Sequence, residues 1–264
     1  WVKGQGMSGL GDLPGGAFSS QAMAVTPDGR VVVGRGMSDA GNEAFIWTVG
    51  EGMVSIGDLP DGDVNAEAAA VSADGSVVVG TGESESGSEA FRWTKETGMV
   101  GLGTLPGLLH RSFGLGVSGD GSVVVGTSGD PEGEHRAFYW SAAGGMRPLD
   151  RVLIDDYGFD LTGWTLVAAR GISLDGSAIV GVGINPAGNT EAWIARLPVT
   201  TCGADYNGDT GADILDFLDY MQDFSDCEGE PVPCGRFGDT DINGDTGIDV
   251  LDFLDFLDAF GDGC

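Results

Sequence analysis

Short apolar runs alternate with Gly, Pro and Asp-Gly throughout residues 1–198, and the same order of runs returns with a period near 46 residues. Cut before each Gly-Met pair, the segments begin at Gly6, Gly52, Gly98 and Gly145. Each carries a GMxxLG-type run, a small-residue alternation ending in Asp-Gly (AAAVSADG from residue 68), a VVVG run and an AFxW run (AFRWT from residue 90). Runs of this length, β-branched or alternating and bounded by turn residues, are written as strands and hairpins. The Asp-Gly pairs, at Asp28, Asp74, Asp120 and Asp175, predict type I′ turns with both central residues at positive φ. The aromatic pair recurs as Phe45/Trp47, Phe91/Trp93 and Phe138/Trp140 and becomes Trp193/Ala195 in the fourth copy. Trp1 stands one period before Trp47, which predicts a start inside the last strand of an earlier copy.

Four strands per copy, repeated, predict either propeller blades or a β solenoid, and 46 residues suits a four-stranded blade better than a single coil. The expected fold is therefore mainly β: a propeller-like array of four full repeats plus a partial N-terminal strand over residues 1–198. The Phe/Trp pairs then serve blade packing, with an exposed tryptophan platform for carbohydrate as the alternative. An array that stops short leaves a strand edge open, to be filled from upstream or by another chain.

Glycine and proline, 48 and 10 of 264 residues, sit beside 41% hydrophobic residues, which describes a turn-dense folded chain. With 41 acidic residues against 12 basic ones and a net charge of −29, nucleic acid and anionic membrane surfaces are disfavoured partners. No stretch approaches 18 consecutive apolar residues, so membrane insertion is not expected.

Composition changes abruptly after Pro198: residues 199–264 hold 17 acidic residues and one Arg, or 16 of the 29 net negative charges. Two near copies, starting at Asp205 and Asp241, place oxygen ligands at loop positions 1, 3, 5, 7, 9 and 12, the EF-hand spacing. The first set is Asp205, Asn207, Asp209, the Gly211 carbonyl, Asp213 and Asp216. The second is Asp241, Asn243, Asp245, the Gly247 carbonyl, Asp249 and Asp252. Calcium takes six to eight oxygens, so two Ca²⁺ ions are expected, with folding of the segment coupled to their binding. Position 12 is Asp in place of the usual Glu, and Gly stands at position 7 instead of 6. No helix precedes the first loop, which makes each unit a loop plus exiting helix. Cys202, Cys227, Cys234 and Cys264 are even in number and confined to this segment, which reads as disulfide staples in an oxidising compartment; a zinc site is the weaker reading because no C-x-x-C occurs.

Catalytic signatures are poor. GxGxxG occurs at Gly4-Gly6-Gly9 and Gly114-Gly116-Gly119, on repeat landmarks, where the glycines read as turn residues. There is no GxSxG, HExxH or P-loop, and the histidines are His110 and His135. Asp155 and Asp156, in the longer fourth copy, are adjacent and would point apart in a strand, a poor start for a glycosidase pair. No enzyme is expected.

The repeat (GMxxLGxLPGG, AxAVSxDGxVVVG, AFxW) resembles the HAF family of extracellular repeat proteins over about residues 1–198. Residues 202–264, with duplicated half EF-hands, Asp at position 12 and a terminal Gly-Cys, resemble GC-type dockerins at the C-termini of secreted bacterial proteins, planctomycete ones especially. That second resemblance implies a noncatalytic anchoring module that docks on a cohesin-like receptor, with loop positions 10 and 11, here Ile214, Leu215, Val250 and Leu251, contributing to recognition. It also implies disulfides clasping the module, Cys202 with Cys264 and Cys227 with Cys234 among three formal connectivities. The functional expectation is a secreted structural or anchoring protein held in an extracellular assembly through a Ca²⁺-dependent tail, with head-to-tail self-assembly as a variant. A glycan-binding adhesion module and a carbohydrate-active enzyme are the alternatives, and the partners expected are a cohesin-like receptor, another copy of the chain, or an extracellular glycan.

Overall fold

A computed structural model of the chain describes residues 6–107, 111–130, 133 and 135–197. The chain divides between Pro198 and Val199 into two units, and the described residues all belong to the first. That unit is mainly β, built of four antiparallel sheets in chain order. The first sheet holds β1 (Ser20–Val25), β2 (Val31–Met37), β3 (Asn42–Thr48) and β4 (Gly52–Ser55). The second holds β5 (Glu67–Val71), β6 (Val77–Ser84), β7 (Gly87–Thr94) and β8 (Gly98–Gly101). The third holds β9 (Ser112–Val117), β10 (Val123–Gly129), β11 (His135–Ser141) and β12 (Gly145–Pro148). The fourth has three described strands, β13 (Thr165–Ile172), β14 (Ala178–Ile184) and β15 (Thr190–Arg196). Within each sheet the strands pair in sequence as a meander.

The structural unit is out of phase with the sequence cut. Each Gly-Met run closes a sheet as its fourth strand: β3 pairs with β4 through Trp47 and Met53, β7 with β8 through Trp93 and Met99, and β11 with β12 through Trp140 and Met146. The AFxW run is therefore the third strand and not the last; Trp1, expected to start inside an earlier copy, lies outside the described residues. Between the third and fourth sheets the chain turns through a short helix, α1 (Leu149–Arg151), which runs into a π-helical turn (Val152–Asp156). This insertion, which buries Leu149, Val152 and Leu153, is why the fourth copy is longer.

The hydrophobic core lies between sheets, in three clusters. Val33 and Ala44 of the first sheet meet Ala66, Ala68, Val78 and Phe91 on the side of the second. Val79 and Ala90 meet Val117, Val124 and Phe138 of the third. Val125 and Ala137 meet Leu166, Ala169, Ile179 and Ala195 of the fourth. The alternation read in the VVVG runs thus has a double meaning. Its side chains point to both faces of the sheet, and both faces are covered by a neighbouring sheet where one exists. Full burial of one valine side chain is worth about 1.5–3 kcal/mol, so each such valine contributes to the interface it fills.

The glycine ending each VVVG run has a steric job. A β-bulge shifts the register between the first two strands, at Ala22/Ala24 in the first sheet and Ala68/Ala70 in the second. At Gly80 an added Cβ would lie 1.9 Å from the Glu67 carbonyl oxygen, and at Gly34 1.9 Å from that of Gln21. Gly114 and Gly116 of the second GxGxxG motif are likewise not turn residues. They lie in β9, where Gly114 faces Gly80 and Gly116 faces Gly171 of the adjoining sheets.

The Asp-Gly turns also differ from type I′. Positive φ falls only on the glycines, +71° at Gly29, +77° at Gly75, +72° at Gly121 and +72° at Gly176, and on none of the four aspartates. Each turn spans five residues, closed by a bond such as Gly29 N–H to the Thr26 carbonyl (2.9 Å) and by the strand-end pair Thr26 N–H to Val31 O (3.0 Å). Turns of successive sheets are also joined: Ala73 N–H donates to the Gly119 carbonyl (2.9 Å), and Gly119 N–H donates to that of Leu174 (2.7 Å).

The substitution Gly80→Ala tests the bulge. It is expected to cost about 3 kcal/mol, because backbone and not a movable side chain occupies the Cβ position. Urea titration followed by tryptophan fluorescence measures it, and a loss under about 0.5 kcal/mol would contradict the close approach.

Candidate functional site

Repeated carboxylates come first, because repetition made them candidates. Asp74 accepts from the Ser72 hydroxyl (2.6 Å), the Ser76 N–H (2.9 Å) and the Ser76 hydroxyl (2.8 Å), while the buried Ser72 Oγ accepts from Val77 N–H (3.0 Å). Asp28 repeats this with Thr26 and Arg30, Asp120 with Ser118 and Ser122, and Asp175 with Ser173 and Ser177. Hydroxyl donors hold the carboxyls of Asp28, Asp74 and Asp175 below the usual range; at Asp120 burial pushes upward and the hydrogen bonds from Ser118 and Ser122 outweigh it. These groups are acceptors consumed by the fold.

A second carboxylate class follows the fourth strand. Asp12 accepts from Ser19 N–H (2.7 Å), and Asp58, one period on, accepts from Leu59 N–H (2.9 Å) and Asn65 N–H (2.8 Å). Burial raises the Asp58 carboxyl above its ordinary value, with Glu43 and Glu83 adding like charge, against the two N–H donors. Glu43 and Glu83 are themselves bonded to Ser55 and Ser88 (2.8 Å each). Asp156 is bidentate on Arg147 (2.6 and 2.9 Å), whose hydrogen bonds hold its carboxyl low, so it makes a poor proton donor. Asp155 and Asp156 lie in the π-helical turn, not in a strand.

A groove of about 760 Å³ opens between the outer strands of the first two sheets. Ile46 and Val54 form one wall and Trp93 the other, with Glu51, Lys95 and Glu96 from the hairpin turns at its mouth. Trp93 is half-buried against the first core cluster, so it offers part of a ring face and not a free platform; Trp47 and Trp140 are half-buried too. Arg92 also lines it, with its guanidinium donating from Nε and Nη2 to the Gly121 carbonyl (3.3 Å each). An apolar floor with charged rims suits an extended polar ligand with one apolar face. Reading the sequence did not reveal this groove, because Glu51, Lys95 and Glu96 lie in turn positions that vary between copies.

Among the described residues no group of three or more His, Cys, Asp or Glu is arranged to hold a metal, and no helix is long and apolar enough to cross a membrane. The calcium ligands expected at 205–216 and 241–252, the expected docking positions Ile214, Leu215, Val250 and Leu251, the four cysteines and His110 lie outside the described residues.

No family model matches the chain, and no curated protein does. Among solved structures, TolB from Acinetobacter baumannii aligns over 68% of this chain at 16% identity with a TM-score of 0.48. A putative TolB from Agrobacterium tumefaciens aligns over 69% at 16% identity and 0.42, and a chain of a nidogen/laminin complex over 66% at 14% and 0.42. The chain spans 41%, 60% and 64% of those three chains respectively. The class defined by the strand order itself is a mainly β repeat protein of successive antiparallel meander sheets.

The turn aspartates make the unit less stable in acid. Because their folded pKa lies below the unfolded value of about 3.9, their contribution is complete above that pH and is lost as pH falls through the folded value. Asp58 has the opposite sign: its ionisation costs stability at neutral pH, and that cost disappears as pH falls through its raised value. Asp74→Asn keeps an acceptor for Ser72 but removes the titration, so its urea midpoint is expected to fall less than wild type between pH 5 and pH 3. Equal drops would remove Asp74 from the account. All six tryptophans precede Pro198, so their fluorescence reports this unit.

Proposed function

We propose that the chain is a secreted, noncatalytic structural or anchoring protein, in which a propeller-like β array is fixed into an extracellular assembly by a dockerin-like tail that binds two Ca²⁺ ions. The observation that carries this reading is the pair of Asp-rich loops, identical in ligand spacing and 36 residues apart, in a segment with 16 of the 29 net negative charges. Without cations the clustered carboxylates of each loop repel one another; two divalent ions offset four charges. Support from the described unit is indirect. Its sheets follow one another as stacked meanders, as blades do, and its repeated residues are spent on packing and turns. Four cysteines confined to the tail support an oxidising, extracellular setting.

Isothermal titration of the full chain with Ca²⁺ is expected to give two sites, with Asp205→Ala and Asp241→Ala each removing one. Absence of heat at millimolar Ca²⁺, in buffer free of chelator, would overturn the tail assignment and the anchoring role with it.

The groove beside Trp93 supports a second reading, a glycan-binding module tethered by the tail. On a glycan array the wild-type chain would bind a saccharide class that Trp93→Ala loses by ten-fold or more. A blank array for both proteins would retire the glycan reading and leave the anchoring one untouched.

A further inference from the structure

The first two interfaces between sheets repeat one arrangement around an Asp-Gly turn, and the first of them lacks one side chain of it. At the second interface Val77 of the second sheet lies against Gly121, in the β9–β10 turn of the third sheet. Arg92 reaches across from β7 and gives the Gly121 carbonyl two hydrogen bonds (3.3 Å each). At the first interface, one period earlier, Val31 lies against Gly75 of the β5–β6 turn in the same way. The residue that matches Arg92 there is Ile46, which is shorter and has no donor on its side chain. At the third interface the position is held by Tyr139, which packs against the cluster of Leu149, Leu153 and Ile179.

What Ile46 leaves undone is visible in the groove between the first two sheets. Gly75 is buried and lines that groove, and its carbonyl receives no donor among the described residues, whereas the equally buried Gly121 has Arg92. A buried carbonyl without a donor is costly and uncommon in folded proteins. The surroundings of this acceptor suit a guanidinium. Val54, exposed and paired across the strands with Ile46, extends an apolar wall for a methylene stem. Trp93 offers part of a ring face on which a planar cation stacks. Glu51, Glu96 and Asp120 bring three carboxylates to the lining, against Lys95 and an Arg92 already engaged with Gly121. The net charge of −29 adds long-range attraction for a cation.

We infer that the groove is a docking site for an arginine side chain carried on an extended segment of a partner protein. The guanidinium donates to the Gly75 carbonyl as Arg92 donates to that of Gly121, with its stem along Ile46 and Val54 and its plane on Trp93. Arginine is selected over lysine because its flat, forked head both stacks and donates, whereas an ammonium is a compact, strongly hydrated point charge. A groove of about 760 Å³ is of ligand-pocket size and admits the residues that flank the arginine as well. The inference goes beyond the anchoring role, since it needs no calcium and gives the β array a partner contact of its own. It also puts a peptide where the second reading puts a saccharide.

The test uses the isotope-labelled full chain and a blocked pentapeptide with one arginine among glycines, in chelator and again in millimolar Ca²⁺. Nuclear magnetic resonance follows the Gly75 and Ser76 amides and the Trp93 indole. Saturable shifts of these signals are expected in both buffers, with the citrulline peptide, uncharged and of the same shape, binding ten-fold or more weaker. Ile46→Arg fills the groove from within, as Arg92 does at the next interface, and is expected to weaken binding ten-fold or more. Glu51→Gln with Glu96→Gln changes two exposed turn residues and is expected to weaken it three-fold or more with the urea midpoint unchanged, so a folding loss at position 46 does not decide the result. No saturable shift at millimolar peptide, equal affinity for citrulline, or undiminished binding by a folded Ile46→Arg chain overturns the inference. Binding that appears only with Ca²⁺ and ignores both groove variants places recognition in the tail, which overturns it and leaves the anchoring role standing. A saccharide that shifts the same signals and is not displaced by the arginine peptide assigns the groove to the glycan reading and overturns it as well.

Discussion

Face-to-face burial between neighbouring sheets is the interaction on which everything else in the described unit depends. A four-stranded meander with apolar residues on both faces has no core of its own, and it becomes stable only when sheets cover it. Val33, Val79 and Val125 each reach complete burial through a sheet that follows in the chain. The glycines at 34 and 80 allow the first two strands to bulge together, and Gly114 and Gly116 let adjoining backbones approach. One interface, made three times, accounts for the period and for most of the repeated residues.

The polar residues that repeat are subordinate to the same stacking. Each Asp-Gly turn fastens its own aspartate with a hydroxyl two residues before it and an N–H two residues after, and successive turns bond to one another across the sheets. Ser112 shows the same economy: fully buried, it accepts from Ala90 N–H (2.9 Å) and donates to the Gly103 carbonyl (2.6 Å), tying the third sheet to the second. Repetition here marks construction. Residues free to serve recognition are those that differ between copies, such as Glu51, Lys95 and Glu96 around the groove, and the acidic tail, which does not belong to the repeat at all.

Much of this was legible in one dimension. The β character, the four runs per copy, the burial of Phe45, Phe91 and Phe138 and the substitution of Trp193 for the fourth phenylalanine all follow from local pattern, because a strand declares itself by alternation and by the turn residues that bound it. The two Asp-rich motifs are equally plain in the sequence, since residue spacing is a property of a short segment. Less legible were the phase of the repeat, in which the Gly-Met run closes one sheet and does not open the next, and the turn type, in which Asp28 supplies a carboxylate and only Gly29 supplies positive φ.

The sequence by itself determined that this is a β repeat followed by a strongly acidic tail carrying two near copies of an Asp-rich motif, because periodicity, charge and residue spacing are all local. Tertiary structure alone decided which face of each strand meets which neighbour. From that came the assignment of Gly114 and Gly116 to close inter-sheet contacts, the groove beside Trp93, and the contrast between a buried Val79 and an exposed Val180 in the same motif. The physical reason is that burial belongs to pairs of sheets and not to any one run: identical valines have different surroundings because, among the described residues, only some of them have a sheet to meet.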